Sequence, residues 1–373
     1  MSLLSFLLKI VRHGLLPFSY NLTIVQTKPI CAAMILVAVG IAHAQPNTYE
    51  LNDCHFHLTN YIQEGTPIRD FLNIMGTRVG RVALFGIPLQ QQWSSRVSGD
   101  NAPTYYLNTD APLYYYSFTD AFIAMQYKSL NKEQQARFDP MITGFNPSDM
   151  YAADHIRRVL KTFPGVFSGI GEFSIHKEFV SSKISGEVAS LQDPALDRVL
   201  NFAGEVGLVT LLHNDMDQPF AKDGAEPVFL TQMKALLKRH PATTIIWAHT
   251  GLGRVIHPVH DHLGILDAIL KDPAFSHVYF DISWDEVAKY LVTTPVTTKA
   301  LADLINRYPT RFLFGTDEVA PKDQASYLKV FDQYAPLWQL LSPEASANVR
   351  KNNYERLFDA ARLNTRAWEQ ANK

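Results

Sequence analysis

Six residues of this chain have the side chains that hold a divalent cation: His55, His57, Glu172, His213, His249 and Asp317. Imidazole nitrogens and carboxylate oxygens without a thiolate suit zinc, and also manganese, iron, cobalt or nickel. One or two ions are therefore expected, zinc first. Residues two apart in a strand point the same way, so His55 and His57 can grip one ion together. His213 (in VTLLHND) and His249 (in IIWAHTG) each end an apolar run. Taken singly, each reads as a core histidine with a satisfied hydrogen bond; together, on consecutive strands, they read as ligands. Asp317 closes FLFGTD, and a carboxylate directly after a buried strand is costly unless a cation or hydrogen bonds compensate it. Such a centre lowers the pKa of a coordinated water toward about 7 and polarises a carbonyl. Asp317 is placed to take the proton of that water and pass it to a leaving group. His249, where not a full ligand, would orient or polarise the carbonyl.

Elements must bring these six positions together. Apolar or β-branched runs at 51–57, 81–88, 138–145, 167–173, 208–214, 243–249, 277–283 and 312–317 have strand length and little alternation, the pattern of strands covered on both faces. Amphipathic stretches at 149–163, 194–206, 229–240, 258–270 and 297–308 lie between them. Eight strands alternating with helices predict a single-domain α/β (β/α)₈ TIM-type barrel, whose strand C-termini converge on one mouth. An open doubly wound sheet is the alternative, and it would struggle to gather residues from strands one, four, five, six and eight. A long connection at about 89–119 carries Trp93, Tyr105, Tyr106, Tyr114, Tyr115 and Tyr116. It reads either as a lid or as a surface excursion packed by its own aromatics.

This order resembles the metal-dependent amidohydrolase superfamily: His-x-His on strand one, histidines on strands five and six, aspartate on strand eight. The closing Asn352-Asn353-Tyr354-Glu355-Arg356-Leu357-Phe358 is similar to the stretch that ends the amidohydrolase-related ("amidohydrolase 2") branch. Glu172 departs from the strand-four lysine of many binuclear members and resembles the glutamate of TatD-type members, which bridges two ions. The other reading of Glu172 is a carboxylate that orients a ligating histidine. The resemblance implies a metal-dependent hydrolase acting on a small carbonyl ester, lactone or amide through a metal-bound hydroxide. It also admits a non-oxidative decarboxylase of the same family, although Glu172 leans toward hydrolysis. A non-catalytic exported binding barrel stands as the alternative from another class.

Composition sets the remaining bounds. With 373 residues, 47% hydrophobic and 19% charged, there is ample material for one barrel. A net charge of −2 gives no field to attract nucleic acid, so a small-molecule substrate is the expected partner; oligomeric state is left open. Residues 30–42 form an uncharged apolar run after Lys28 and before Ala42-His43-Ala44. That is the layout of a secretory signal peptide cut after Ala44, with 45–373 as the mature, periplasmic chain and no stable membrane span. An uncleaved anchor is the other reading, and a start downstream of Met1 would give the leader ordinary length. Cleavage would leave Cys54 as the lone cysteine, read as a small buried hydrophobe turned away from the histidine pair. Arg254 and Trp284 are candidate substrate contacts, and Asp281 a pocket-lining residue. His257, His260 and His262 read as a solvated or pocket-lining cluster. No Gly-x-Ser-x-Gly elbow or dinucleotide fingerprint is present.

Overall fold

The computed structural model describes residues 49–60, 63–87, 99–100, 118–177, 189–222, 224–254 and 258–373. The leader expected over 1–44, His257 and nearly all of the 89–119 connection lie outside the described residues.

From Pro46 onward the chain forms one compact unit. Its strands are β1 (Leu51–His57), β2 (Val79–Phe85), β3 (Phe138–Ile142), β4 (Gly169–Ser174), β5 (Val209–His213), β6 (Ile245–Trp247), β7 (Val278–Asp281), β8 (Phe312–Leu313) and β9 (Glu318–Val319). All neighbours pair in parallel, in the order β8-β7-β6-β5-β4-β3-β2-β1-β9. β8 and β9 are two pieces of one eighth strand. Between them, the Cys54 N–H donates to the Phe314 carbonyl (3.1 Å) and the Asp317 N–H to that of His55 (2.7 Å). On the other side the Ile282 N–H donates to the Leu313 carbonyl (3.0 Å). The stretch thus bonds to both β7 and β1, and the sheet closes into a (β/α)₈ barrel. Helices between the strands cover its outside, as the near-continuous apolar strands require.

Two apolar layers follow. The larger packs strands against helices; Phe56 and Phe71 stack there with centroids 3.9 Å apart. The smaller fills the barrel: Cys54, Ala83, Phe85, Met141, Val209, Leu211, Ile246 and Leu313 meet across it. Tyr354, Leu357, Phe358 and Ala361 of the last helix, Asn353–Ala371, join them. That helix closes the N-terminal end of the barrel. Asn353 donates to the Phe312 carbonyl (2.8 Å), Arg362 to that of Phe138 (2.6 Å) and Arg366 to that of Phe167 (2.6 Å), groups at or before the starts of β8, β3 and β4. Beneath it, Asp139 is fully buried between Arg81, Arg362 and the Tyr354 hydroxyl, at 2.9, 2.7 and 2.8 Å.

Strict alternation along β1 does not hold. The pairing with β2 shifts between Asp53 and Phe56, which turns Cys54 into the barrel interior, below the histidines. Asp53 faces the other way and clamps β1 to the eighth strand by accepting from Thr316 Oγ1 (2.6 Å) and the Tyr327 hydroxyl (2.8 Å). Cys54 is buried and free, as expected of a small hydrophobe.

Candidate metal centre

Every expected ligand reaches the C-terminal mouth. His55 and His57 lie at the end of β1, Glu172 within β4 and His213 at the end of β5. His249 and Asp317 lie beyond their strands, in turns where each has φ +55°. Thr250 (+55°) and Trp284 (+79°) share that left-handed backbone, which costs an L-residue roughly 1–2 kcal/mol. Such outliers gathered at one mouth point to function. Two glycines permit the approach. At Gly171 a side chain would run into the Leu211 carbonyl, and at Gly315 a Cβ would sit 2.6 Å from that of His55.

The nitrogens are sorted by what lies behind them. His55 Nδ1 donates to Asp281 (3.0 Å) and His57 Nδ1 to the Gly86 carbonyl (2.8 Å). Both rings therefore present Nε2 inward, the arrangement that fixes a ligating imidazole. Those two Nε2 atoms each lie 3.1 Å from Asp317 Oδ1, and 3.7 and 3.4 Å from Glu172 Oε2. Glu172 Oε1 meets His213 Nδ1 at 2.7 Å, and His213 Nε2 faces Asp215 at 3.0 Å. His249 stacks on His55 (centroids 4.9 Å apart) with Nδ1 2.9 Å from the Ser283 hydroxyl. Its Nε2 is 3.8 Å from Asp317 Oδ2.

These donors fit a divalent cation. His55 Nε2, Glu172 Oε2 and His249 Nε2 are buried without a hydrogen-bond partner, a state that buried polar atoms rarely tolerate. Three overlapping groups have donor atoms close enough to share an ion: His55, His57, Glu172 and Asp317; Glu172, His213 and His249; and His55, His249 and Asp281, the last with His55 Nδ1 already bonded to Asp281 at 3.0 Å. The local field favours positive charge. Burial opposes the His55 imidazolium, yet Asp317 and Asp281 raise its pKa well above the usual value. Burial would likewise raise Glu172 and Asp317, but Lys177 and His213 hold the first well below the usual carboxylate range, and His55 and His57 the second. His249 goes the other way: burial pushes it down to about 3, leaving a neutral ring with a free lone pair.

Asp281 belongs behind the site rather than in the pocket wall. One oxygen holds His55; the other accepts from the His249 N–H (2.8 Å), the Ser283 N–H (3.1 Å) and the Ser283 hydroxyl (2.6 Å). Trp284 packs its ring on His249, centroids 5.1 Å apart, and the Arg254 guanidinium lies 5.5 Å from the Trp284 ring; both candidate substrate contacts thus stand at the mouth. Of the histidines after β6, the two described stand apart: His260 is exposed, and His262 is buried with Nε2 3.3 Å from the Thr250 hydroxyl. Lys177, Asp215 and Ser283 were not legible as site residues. Asp215 and Ser283 each sit two residues from a carboxylate or histidine at a strand end, a signal that could have found them. Lys177 carries no such signal.

A family model described as amidohydrolase matches residues 53–360. Among solved structures, 2,6-dihydroxybenzoate decarboxylase from Rhizobium aligns at 13% identity over 83% of this chain and 99% of its own, with TM-score 0.50. A probable 2-pyrone-4,6-dicarboxylic acid hydrolase from Acinetobacter baumannii aligns at 10% over 83% and 99%, TM-score 0.48. An uncharacterized TIM-barrel protein from Bordetella bronchiseptica aligns at 13% over the same shares, TM-score 0.48. A comparison with curated proteins finds no match. At these identities the structural likeness speaks to the fold alone.

Proposed function

Because the chain belongs to the amidohydrolase family, we propose that it is a metal-dependent hydrolase of a small carbonyl ester, lactone or amide. The observation that carries this reading is the set of unpartnered donor atoms converging beside Asp317. His55, His57, Glu172 and Asp317 would hold the ion, with His213 and His249 completing the site; zinc is the ion these donors suit best. When bound, it supplies a Lewis acid and a water acidic enough to react at neutral pH. Asp317, ionised and turned into the mouth, receives the proton of the attacking water and returns it to the leaving group. His249 stays neutral and directs Nε2 at the same space, suited to orienting the carbonyl. Trp284 and Arg254 line the approach and would position the substrate.

A second reading keeps the centre and changes the reaction. Arg254 and Lys177 lie on the Trp284 ring, 5.5 and 5.7 Å from its centroid. Lys177 is engaged by Glu172 at 3.1 Å, so Arg254 is the cation that suits a substrate carboxylate, and this supports a non-oxidative decarboxylase as the second reading. The same protein, given lactones and esters in one series and hydroxybenzoates in another, separates the two: acid release supports hydrolysis, carbon dioxide release decarboxylation. Asp317→Asn should lower turnover in either case by about 10²–10⁴-fold while leaving the fold intact by circular dichroism. Turnover unchanged in that variant would remove Asp317 from the chemistry. No turnover in either series, with ligand affinity retained in the variant, would support an exported binding barrel.

Residues 30–42 with Ala42-His43-Ala44 support export and cleavage after Ala44. Among the described residues no helix is long and apolar enough to cross a membrane. N-terminal sequencing of the mature protein, with fractionation of the producing cells, tests the periplasmic assignment.

A further inference from the structure

We propose that the Lys177 ammonium limits this centre to a single divalent ion by holding the Glu172 oxygen that a second ion would need. The proposal rests on the reading of the site as a metal centre. A carboxylate that bridges two ions gives one oxygen to each. Glu172 Oε2 is unpartnered and turned toward His55 and His57, so it can serve the group completed by Asp317. The second group, His213 and His249 with Glu172, would have to use Oε1. That oxygen already has two neighbours: His213 Nδ1 at 2.7 Å and Lys177 Nζ at 3.1 Å. An ion there would share its oxygen with a fixed cation, in a buried site where water screens like charges poorly.

Lys177 is held in place rather than swept in from solvent. Its side chain is 13% exposed, and its ammonium lies 5.7 Å from the centroid of the Trp284 ring, an aromatic face that attracts cations. It stands three residues after the end of β4, the strand that carries Glu172. One strand end thus supplies both the carboxylate and its counter-charge. Glu172 then acts on the two halves of the site differently: Oε2 as a ligand, Oε1 as the acceptor that orients His213.

The test is zinc per chain, measured by elemental analysis on the full chain after saturation with zinc and dialysis into metal-free buffer. Wild type and Lys177→Arg should retain one equivalent, and Lys177→Met should retain two. Thermal unfolding followed by circular dichroism establishes that each variant is folded; Lys177→Gln replaces Lys177→Met if the latter is not. Two equivalents in the wild type, or one in the folded neutral variant, would overturn the proposal and leave the metal-centre reading standing. No zinc in the wild type would overturn that reading itself.

Discussion

At His55, His57 and His249, one nitrogen is spoken for and the other is aimed. The cleanest case is His55, whose ring is fixed by Asp281 at 3.0 Å while the same carboxylate anchors the backbone of His249 through its second oxygen. Asp281→Ala should therefore weaken zinc binding by about 10–100-fold, the usual loss when the partner behind a ligand is removed, as measured by competition with a chromophoric chelator. Unchanged affinity would mean that Asp281 supports the turn and not the ligands. The residue types of the candidate ligands were legible because costly groups stood at the ends of apolar runs. Their partners were less so. Asp281 read as a pocket residue, since sequence shows that a carboxylate ends a strand but not which neighbour it bonds. Lys177 was invisible for the same reason: nothing local distinguishes it from a solvated lysine.

The strands were legible in number and order, and less so at their ends. The runs ending in His249 and Asp317 read as continuous strand, whereas β6 stops at Trp247 and β8 at Leu313. Apolar residues continue past the last ladder bond because the turns themselves are buried, so hydrophobicity alone overextends the strand. The shift within β1 was equally hidden, since a strand buried on both faces has no polar side to betray a lost alternation. At the opposite end of the barrel, the final helix depends on Asp139. Asp139→Ala leaves Arg81 partly buried without its main partner, a change that costs about 3–5 kcal/mol. Urea unfolding should show that loss as a lower midpoint with little change in slope; a loss below about 1 kcal/mol would place the helix's anchorage in its apolar face instead.

Across the whole molecule, acid stability should carry the mark of His262. Burial lowers its pKa from 6.5 to about 4, so the folded state keeps the ring neutral while the unfolded chain protonates it below pH 6.5. Its contribution is complete above pH 6.5 and lost as pH falls from there toward about 4. Urea unfolding with a chelator present should therefore show a smaller difference between pH 7 and pH 5 in His262→Asn than in wild type. An equal difference would assign the acid sensitivity to other groups. The closure of the barrel has a further consequence, for the ribosome. Phe56 pairs with Glu318, and both Asp317 and the floor helix are translated after β1 to β7. Until then the emerging polypeptide carries four histidines of the centre but neither the carboxylate that completes it nor the seal beneath it. A chain released before Asp317 would thus lack one candidate ligand and the helix that covers the barrel floor.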